Sequence, residues 1–307
     1  MEVNNLASAG KAYSTCDNGE GLCRGNDKAR AAQPSLPAGA RLPINRCNLP
    51  AVILGSLTFQ KHPAPLKLDG VEELNHALFE RLDRLTLSHH RAEAFDIYME
   101  TAFRLCHLDE AGLSGNKAKG RAKANWRRIV RGWAFDPDGR EAAVLKGWVE
   151  SRFGLTPRHH REPLRDPSSA AYSRYMEMRT QGIYGTNALE SQLDLMYAYC
   201  QYEFARQAPT QTHLRLFRGV NRLDAFEELE DCSPREAGDR CGAVLLNNIN
   251  SFSRNRERAG EFGDYILVTN VPVAKVIFHS ALLPGVLQGE DEMLVVGGAY
   301  EVAWTTF

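Results

Sequence analysis

Long hydrophobic runs are missing from this sequence. The longest, such as Leu49–Leu54 and Met293–Val296, fall far short of the ~20 apolar residues that span a bilayer. Membrane insertion is therefore not expected. The opening Met-Glu-Val-Asn-Asn has neither a basic nor an apolar region, so no secretory signal is expected. Cysteine is sparse and irregular: seven residues, at 16, 23, 47, 106, 200, 232 and 241, with no Cys-x-x-Cys pair. That odd, scattered set argues against a disulfide framework and fits a reduced cytoplasmic protein. No Cys/His cluster has structural zinc spacing, and no metal is expected. Gly-x-Gly-x-x-Gly and the P-loop are both absent, which removes two common nucleotide-binding turns. Charge of one sign is not in excess either. Lys plus Arg total 37 and Asp plus Glu 38, a formal charge of −1, so no steering toward nucleic acid is expected. Lysine is scarce, 9 against 28 arginines, a ratio that by itself points to no function.

What is present is globular. Of 307 residues, 43% are hydrophobic and 24% charged, the composition of one large domain or two small ones. Residues 1–40 are rich in Gly, Ala, Ser, Asn and Asp with no apolar period, which predicts a flexible tail. Pro34, Pro37, Pro43 and Pro50 predict extended chain around them. From about 70 to 206 the period is helical. Apolar positions recur at 71, 74, 78, 82 and 85 in Val71–Leu87, and at 95, 98, 99, 102, 103 and 105 in Ala92–Leu108. Glu141–Phe153 and Ser168–Met178 are further candidates. The longest is Asn187–Ala205, with one stripe through Leu189, Leu193, Met196, Tyr197, Cys200 and Phe204. Asn187 and Glu190 resemble a capping box at its start.

After Pro209 the period changes. Leu214–Val220, Ala243–Ile249, Tyr265–Val271, Val273–His279, Met293–Val296 and Ala299–Thr305 read as short strands. Pro272, Pro284, Gly285, Gly289 and the Gly297-Gly298 pair punctuate them. Helices first and strands after is an α+β order, not βαβ alternation. One basic run, Lys117–Arg131, holds seven Lys or Arg and no acid. Its first half reads as solvated loop rather than an anion patch. In its second half Trp126, Ile129, Val130 and Trp133 sit at helical spacing and are expected to pack on the core.

Three points have the makings of chemistry, and each has an ordinary alternative. Arg218 shares a strand face with Leu214 and Leu216. A charge on an apolar face needs a partner, and Gly219 beside it allows close backbone approach. The alternative is an arginine at a strand end reaching solvent or a carboxylate. Ser251 and Ser253 fall on one face of a strand end, with Phe252 on the other. Two hydroxyls there can orient a carboxylate, and Arg254, Asn255, Arg256 and Arg258 can meet phosphates. The alternative is a polar strand end leading into a helix. Glu290 and Glu292 point to one side of an extended segment. Carboxylates ~7 Å apart can divide labour, one stabilising positive charge and the other handling a proton. The alternative is a solvated acidic turn.

The order of these motifs is more specific than any one of them. An Arg-Gly strand end, a Ser-x-Ser strand end, and Glu-x-Glu entering a strand resemble the Arg-Ser-Glu class of mono-ADP-ribosyltransferases. The stretch Ser251–Gly263 resembles that class beyond the serines, including its Ala and Phe. Phe252 departs from the usual Thr, at a position facing away from the site. Asn45–Phe59 and the block Trp126–Leu155 resemble more closely the dinitrogenase reductase ADP-ribosyltransferases within that class. The resemblance spans roughly residues 43–307.

The resemblance implies two small antiparallel β-sheets forming an NAD cleft, with a mainly helical N-terminal region. With the tail over 1–40 set aside, the chain divides into a mainly helical region over 41–165 and a catalytic core over 166–307, expected to form one integrated domain because no linker beyond Gln207–Gln211 separates them. The resemblance implies that Arg218, Ser251, Glu290 and Glu292 are catalytic. NAD, as co-substrate, would also meet Gly219, Ser253, Asn255, Arg256 and Phe262. Arg218 would hold phosphate or ribose, Gly219 the nicotinamide amide, Arg256 a phosphate, and Phe262 would stack on nicotinamide. Ser251 would position Glu292 against the ribose. Glu at 290, rather than Gln, implies an arginine acceptor. The implied protein partners are dinitrogenase reductase, as substrate, and a PII-type nitrogen signalling protein. Two other readings stay open: an arginine-specific effector acting on another protein, and a catalytically silent NAD-binding interaction module.

Overall fold

The computed structural model describes residues 35–106, 123–186, 188–222, 227–232, 240–283, 285–287 and 291–306. Residues 1–34 of the expected tail, the basic positions Lys117, Lys119 and Arg121, the cap residue Asn187, and Glu290 lie outside these residues; within the last residues of that tail, Leu36 and Ala40 are buried in the core.

Helices come first, where the apolar period is 3.6. Two short ones, α1 (Ala51–Leu54) and α2 (Leu57–Lys61), follow directly on the proline-bearing stretch, where the periodicity marks no helix. Pro50 precedes α1 with extended dihedrals, and the Ser56 hydroxyl caps α2 by accepting from Phe59 N–H. The single helix expected over 71–87 is two, α3 (Val71–Leu74) and α4 (His76–Asp83). Asn75 divides them, its side chain donating back to the Val71 carbonyl at 2.7 Å. Asn favours such local bonds over helix continuation. Then follow α5 (Ser88–Phe103), α6 (Trp126–Phe135), α7 (Arg140–Phe153), α8 (Ala170–Gly182) and α9 (Ala188–Gln207).

Trp126, Ile129, Val130 and Trp133 are all buried on α6. The six stripe residues of α9 are buried too, but so are Gln192, Leu195, Tyr199 and Glu203 around the rest of its surface. This helix is therefore a central element rather than a one-sided one. Its carboxylates Asp194 and Glu203 are paired, as burial requires. Arg91 of α5 grips Glu203 with two bonds of 2.6 and 2.8 Å, and Arg152 of α7 grips Asp194 with bonds of 2.7 and 2.9 Å.

The strands follow: β1 (His213–Val220), β2 (Glu227–Cys232), β3 (Arg240–Ser253), β4 (Tyr265–Pro272), β5 (Val276–His279) and β6 (Glu292–Thr306). Every pairing among them is antiparallel. Hydrogen bonding joins these six strands into one sheet, ordered β2-β3-β1-β4-β6-β5, with β3 also paired to β6, and a separate two-stranded ladder pairs His159–His160 with Glu162–Pro163. What joins the six strands is the length of β3 and β6, which run through both halves of the sheet. Their register breaks between Leu246 and Ile249. Asn247 and Asn248 lie in that break. Asn248 donates to the Lys146 and Leu155 carbonyls, tying β3 to α7 and the chain after it.

The Gly297-Gly298 pair, read as a break between strands, is a bend inside β6. Gly298 has φ +109°, and a Cβ on Gly297 would strike the Asn247 carbonyl oxygen. Ahead of β5, residues Val273–Lys275 form one 3₁₀ turn rather than strand. The segment around α2 clasps the sheet: the Gln60 amide bonds Thr269, Asn270 and Glu301, and Gly55 accepts from Ala299 N–H at 2.8 Å. One hydrophobic cluster contains Phe95, Trp126, Trp148 and Tyr199 from the helices and Leu216, Ile249 and Val295 from the sheet. The described residues belong to one compact unit. No helix among them is long and apolar enough to cross a membrane.

Candidate active site

Three strands bring Arg218, Ser251 and Glu292 together. Arg218 lies near the end of β1, opposite Leu267 of β4. Ser251 and Ser253 lie at the end of β3, and Glu292 opens β6 directly across from Ser253. Phe217 of β1 pairs with the same Ser253. The strand ends converge on a cleft of about 460 Å³, lined also by the C-terminal end of α6 and the loop after it. That volume suits a small-molecule ligand.

Arg218 Nη1 donates to the Ser251 carbonyl at 2.6 Å. Its Nε is buried and has no hydrogen-bond partner among the described residues. Burial pushes the guanidinium pKa down, and the Glu292 charge opposes that shift. A desolvated cation with a spare donor, facing a cleft, is a receptor for an anionic ligand. Leu214 and Leu216, on the same strand face, are buried as the alternation requires.

The Ser251 hydroxyl donates to Glu292 Oε1 at 2.5 Å, and Glu292 is only 7% exposed. A short bond from a hydroxyl to a carboxylate fixes the carboxylate's direction. The sequence pattern did not mark the third partner. Trp133 Nε1 donates to Ser251 Oγ at 2.8 Å. Its helical spacing marks it as core, which it is. Only the general need of a buried indole N–H for a partner points further.

The other candidates divide. Ser253 is buried, lines the cleft, and accepts from Asn255 N–H at 3.0 Å. Phe262 lines the cleft and is 58% exposed, free to cover a ligand. Gly219 also lines it, but the close approach it permits is from the protein itself. A Cβ there would strike the carbonyl oxygen of Ala259 in the short helix α10 (Arg256–Gly260). Gly219→Ala is therefore expected to cost about 1–3 kcal/mol of stability through overpacking, read as a lower denaturant midpoint. Asn255 and Arg256 are not among the residues lining the cleft. Asn255 caps α10, its Oδ1 accepting from Glu257 and Arg258 N–H, and Arg256 donates to Thr305 Oγ1 at 2.9 Å.

In the wall of the cleft, Lys146 is 1% exposed. Its ammonium donates to Asp138 Oδ1 and the His159 carbonyl, both at 2.9 Å, and lies 3.2 Å from His160 Nδ1. Burial lowers its pKa, against the pull of Asp138. His160 is pushed down to about 4, first by burial and then by the Lys146 charge. Among the described residues no group of His, Cys, Asp or Glu could hold a metal ion.

An arginine, a serine and a glutamate delivered to one cleft by three antiparallel strands, with helices alongside, is the site expected of an ADP-ribosyltransferase. Comparison with known proteins specifies which. The family model for dinitrogenase reductase ADP-ribosyltransferase matches residues 44–304, and the chain belongs to that family. It is 40% identical over 261 residues to the NAD(+)–dinitrogen-reductase ADP-D-ribosyltransferase of Rhodospirillum rubrum. The aligned part covers 84% of this chain and 93% of that protein. No solved structure matches.

Proposed function

We propose that this chain transfers ADP-ribose from NAD to an arginine of dinitrogenase reductase, inactivating it and switching nitrogen fixation off. The observation that carries the reading is the Arg218–Ser251–Glu292 set, joined by bonds of 2.6 and 2.5 Å at one cleft. The desolvated Arg218, with its spare Nε–H, fits the phosphates of NAD. Phe262, exposed at the cleft, would cover the nicotinamide. The cleft at the ends of β1, β3 and β6 would hold NAD. Chemistry in this site runs in the cytoplasm under control of a PII-type nitrogen signalling protein.

Each chain group has a task in that reaction. Glu292, aligned by Ser251, sets negative charge against the ribose as the bond from C1′ to the nicotinamide nitrogen breaks. Nicotinamide leaves with the bonding electrons, and the positive charge that builds on the ribose is stabilised electrostatically. The acceptor guanidinium is protonated at neutral pH and a poor nucleophile. Glu290 orients it and accepts a proton as a guanidinium nitrogen bonds to C1′.

Arg218→Lys keeps the charge but loses the planar fork. NAD affinity and activity are expected to fall together; calorimetry showing unchanged affinity returns Arg218 to a structural role. The reading as a whole is tested with labelled NAD, purified dinitrogenase reductase and an unrelated arginine-rich protein. Label on dinitrogenase reductase alone supports it. Label on the unrelated protein alone makes the chain an effector with another target. Binding of NAD with no label on either makes it a silent module.

A further inference from the structure

Ser251 Oγ stands between two partners of opposite character. Trp133 Nε1 donates to it at 2.8 Å, and it donates to Glu292 Oε1 at 2.5 Å. An indole nitrogen can only donate, and a hydroxyl has one proton and two lone pairs. With the Trp133 hydrogen on one lone pair, the hydroxyl cannot turn its proton toward the indole. The proton is left to the carboxylate. The direction of the Ser251–Glu292 bond is thus set from outside the Arg-Ser-Glu set.

The indole is itself held rigid. Trp133 is 3% exposed, and the Lys146 ammonium sits 5.8 Å from its ring centroid. Lys146 is fixed in turn by Asp138 and the His159 carbonyl. Two residues before Trp133 on the same helix, Arg131 donates to the Gly285 and Val286 carbonyls at 3.0 and 3.2 Å. The helix therefore grips the backbone upstream of Glu292 as well as the hydroxyl beside it.

We infer that Trp133 is a positioning residue of the transfer reaction: its indole N–H fixes the Ser251 hydroxyl and, through it, aligns the Glu292 carboxylate. The inference rests on the reading of Glu292 given above. It makes α6, a helix of the N-terminal region, part of the catalytic apparatus rather than only its support.

The test replaces Trp133 with benzothienylalanine, which keeps the ring shape and removes the N–H; Trp133→Phe is the encoded companion. Nicotinamide release and NAD affinity are measured for each, alone and with Ser251→Ala. The isostere is expected to lower kcat about tenfold, the scale of one well-placed hydrogen bond, with the NAD Kd within about twofold. Combined with Ser251→Ala it should add no further loss, because both changes break one linkage. A merely structural role would instead make the two losses multiply. Wild-type kcat in the isostere, or multiplying losses, overturns the inference. Glu292→Gln is run beside them. If it turns over normally, the reading of Glu292 has failed. If it is inactive while the isostere is normal, only the inference about Trp133 has failed.

Discussion

Glu292→Gln is expected to lower nicotinamide release and acceptor labelling together by two decades or more, while NAD still binds. The substitution keeps the size of the side chain and removes its charge. Gln retains an oxygen for the Ser251 hydroxyl, so the 2.5 Å contact has a successor. What disappears is the negative charge held against the ribose in a buried site. A preorganised charge of this kind lowers the barrier by about 2.7 kcal/mol or more, a factor of about a hundred. Both hydrolysis and transfer pass through the same charge-building step, so both fall. Near-normal turnover by the purified variant would remove Glu292 from the chemistry.

The second large effect separates the two carboxylates. Glu290→Gln is expected to abolish transfer to arginine and to leave measurable NAD hydrolysis. Water is uncharged and needs no neutralisation before it attacks; a guanidinium must shed a proton. With only Glu292 left, the ribosyl bond still breaks, but the acceptor is neither oriented nor deprotonated. The readout is nicotinamide release with and without acceptor, alongside acceptor labelling. Hydrolysis lost as fully as transfer would end this division of roles. Efficient labelling of arginine by the variant would reduce Glu290 to a solvated loop residue.

How far the sequence could be read depended on the kind of signal. Periodicity was informative wherever one face is buried, as with Trp126, Ile129, Val130 and Trp133 on α6. It failed at Asn75, where a side-chain bond to Val71 ends a helix whose apolar spacing continues. It also failed at Gly297-Gly298. Glycines mark turns and bends alike, and only the approach of the Asn247 carbonyl distinguishes the two. The continuity of β3 and β6 was not legible, because strand length through a bulge leaves no compositional mark.

At the site, motif order singled out Arg218, Ser251 and Glu292, and the fold gathers them. Arg256 and Asn255 read as phosphate contacts because of their type. In the structure one reaches Thr305 and the other caps α10. Trp133 was visible only as core, since a helical stripe records that an indole is buried and not where its N–H points.

The central claim is that ADP-ribose passes from NAD to an arginine of dinitrogenase reductase. It is tested most directly by incubating the wild-type chain with NAD and that protein, then mapping the modified peptide by mass spectrometry while counting nicotinamide released. The account predicts one ADP-ribose on an arginine, appearing in step with nicotinamide and with loss of acceptor activity. Modification at cysteine or asparagine, or nicotinamide released with the acceptor unmodified, would contradict it.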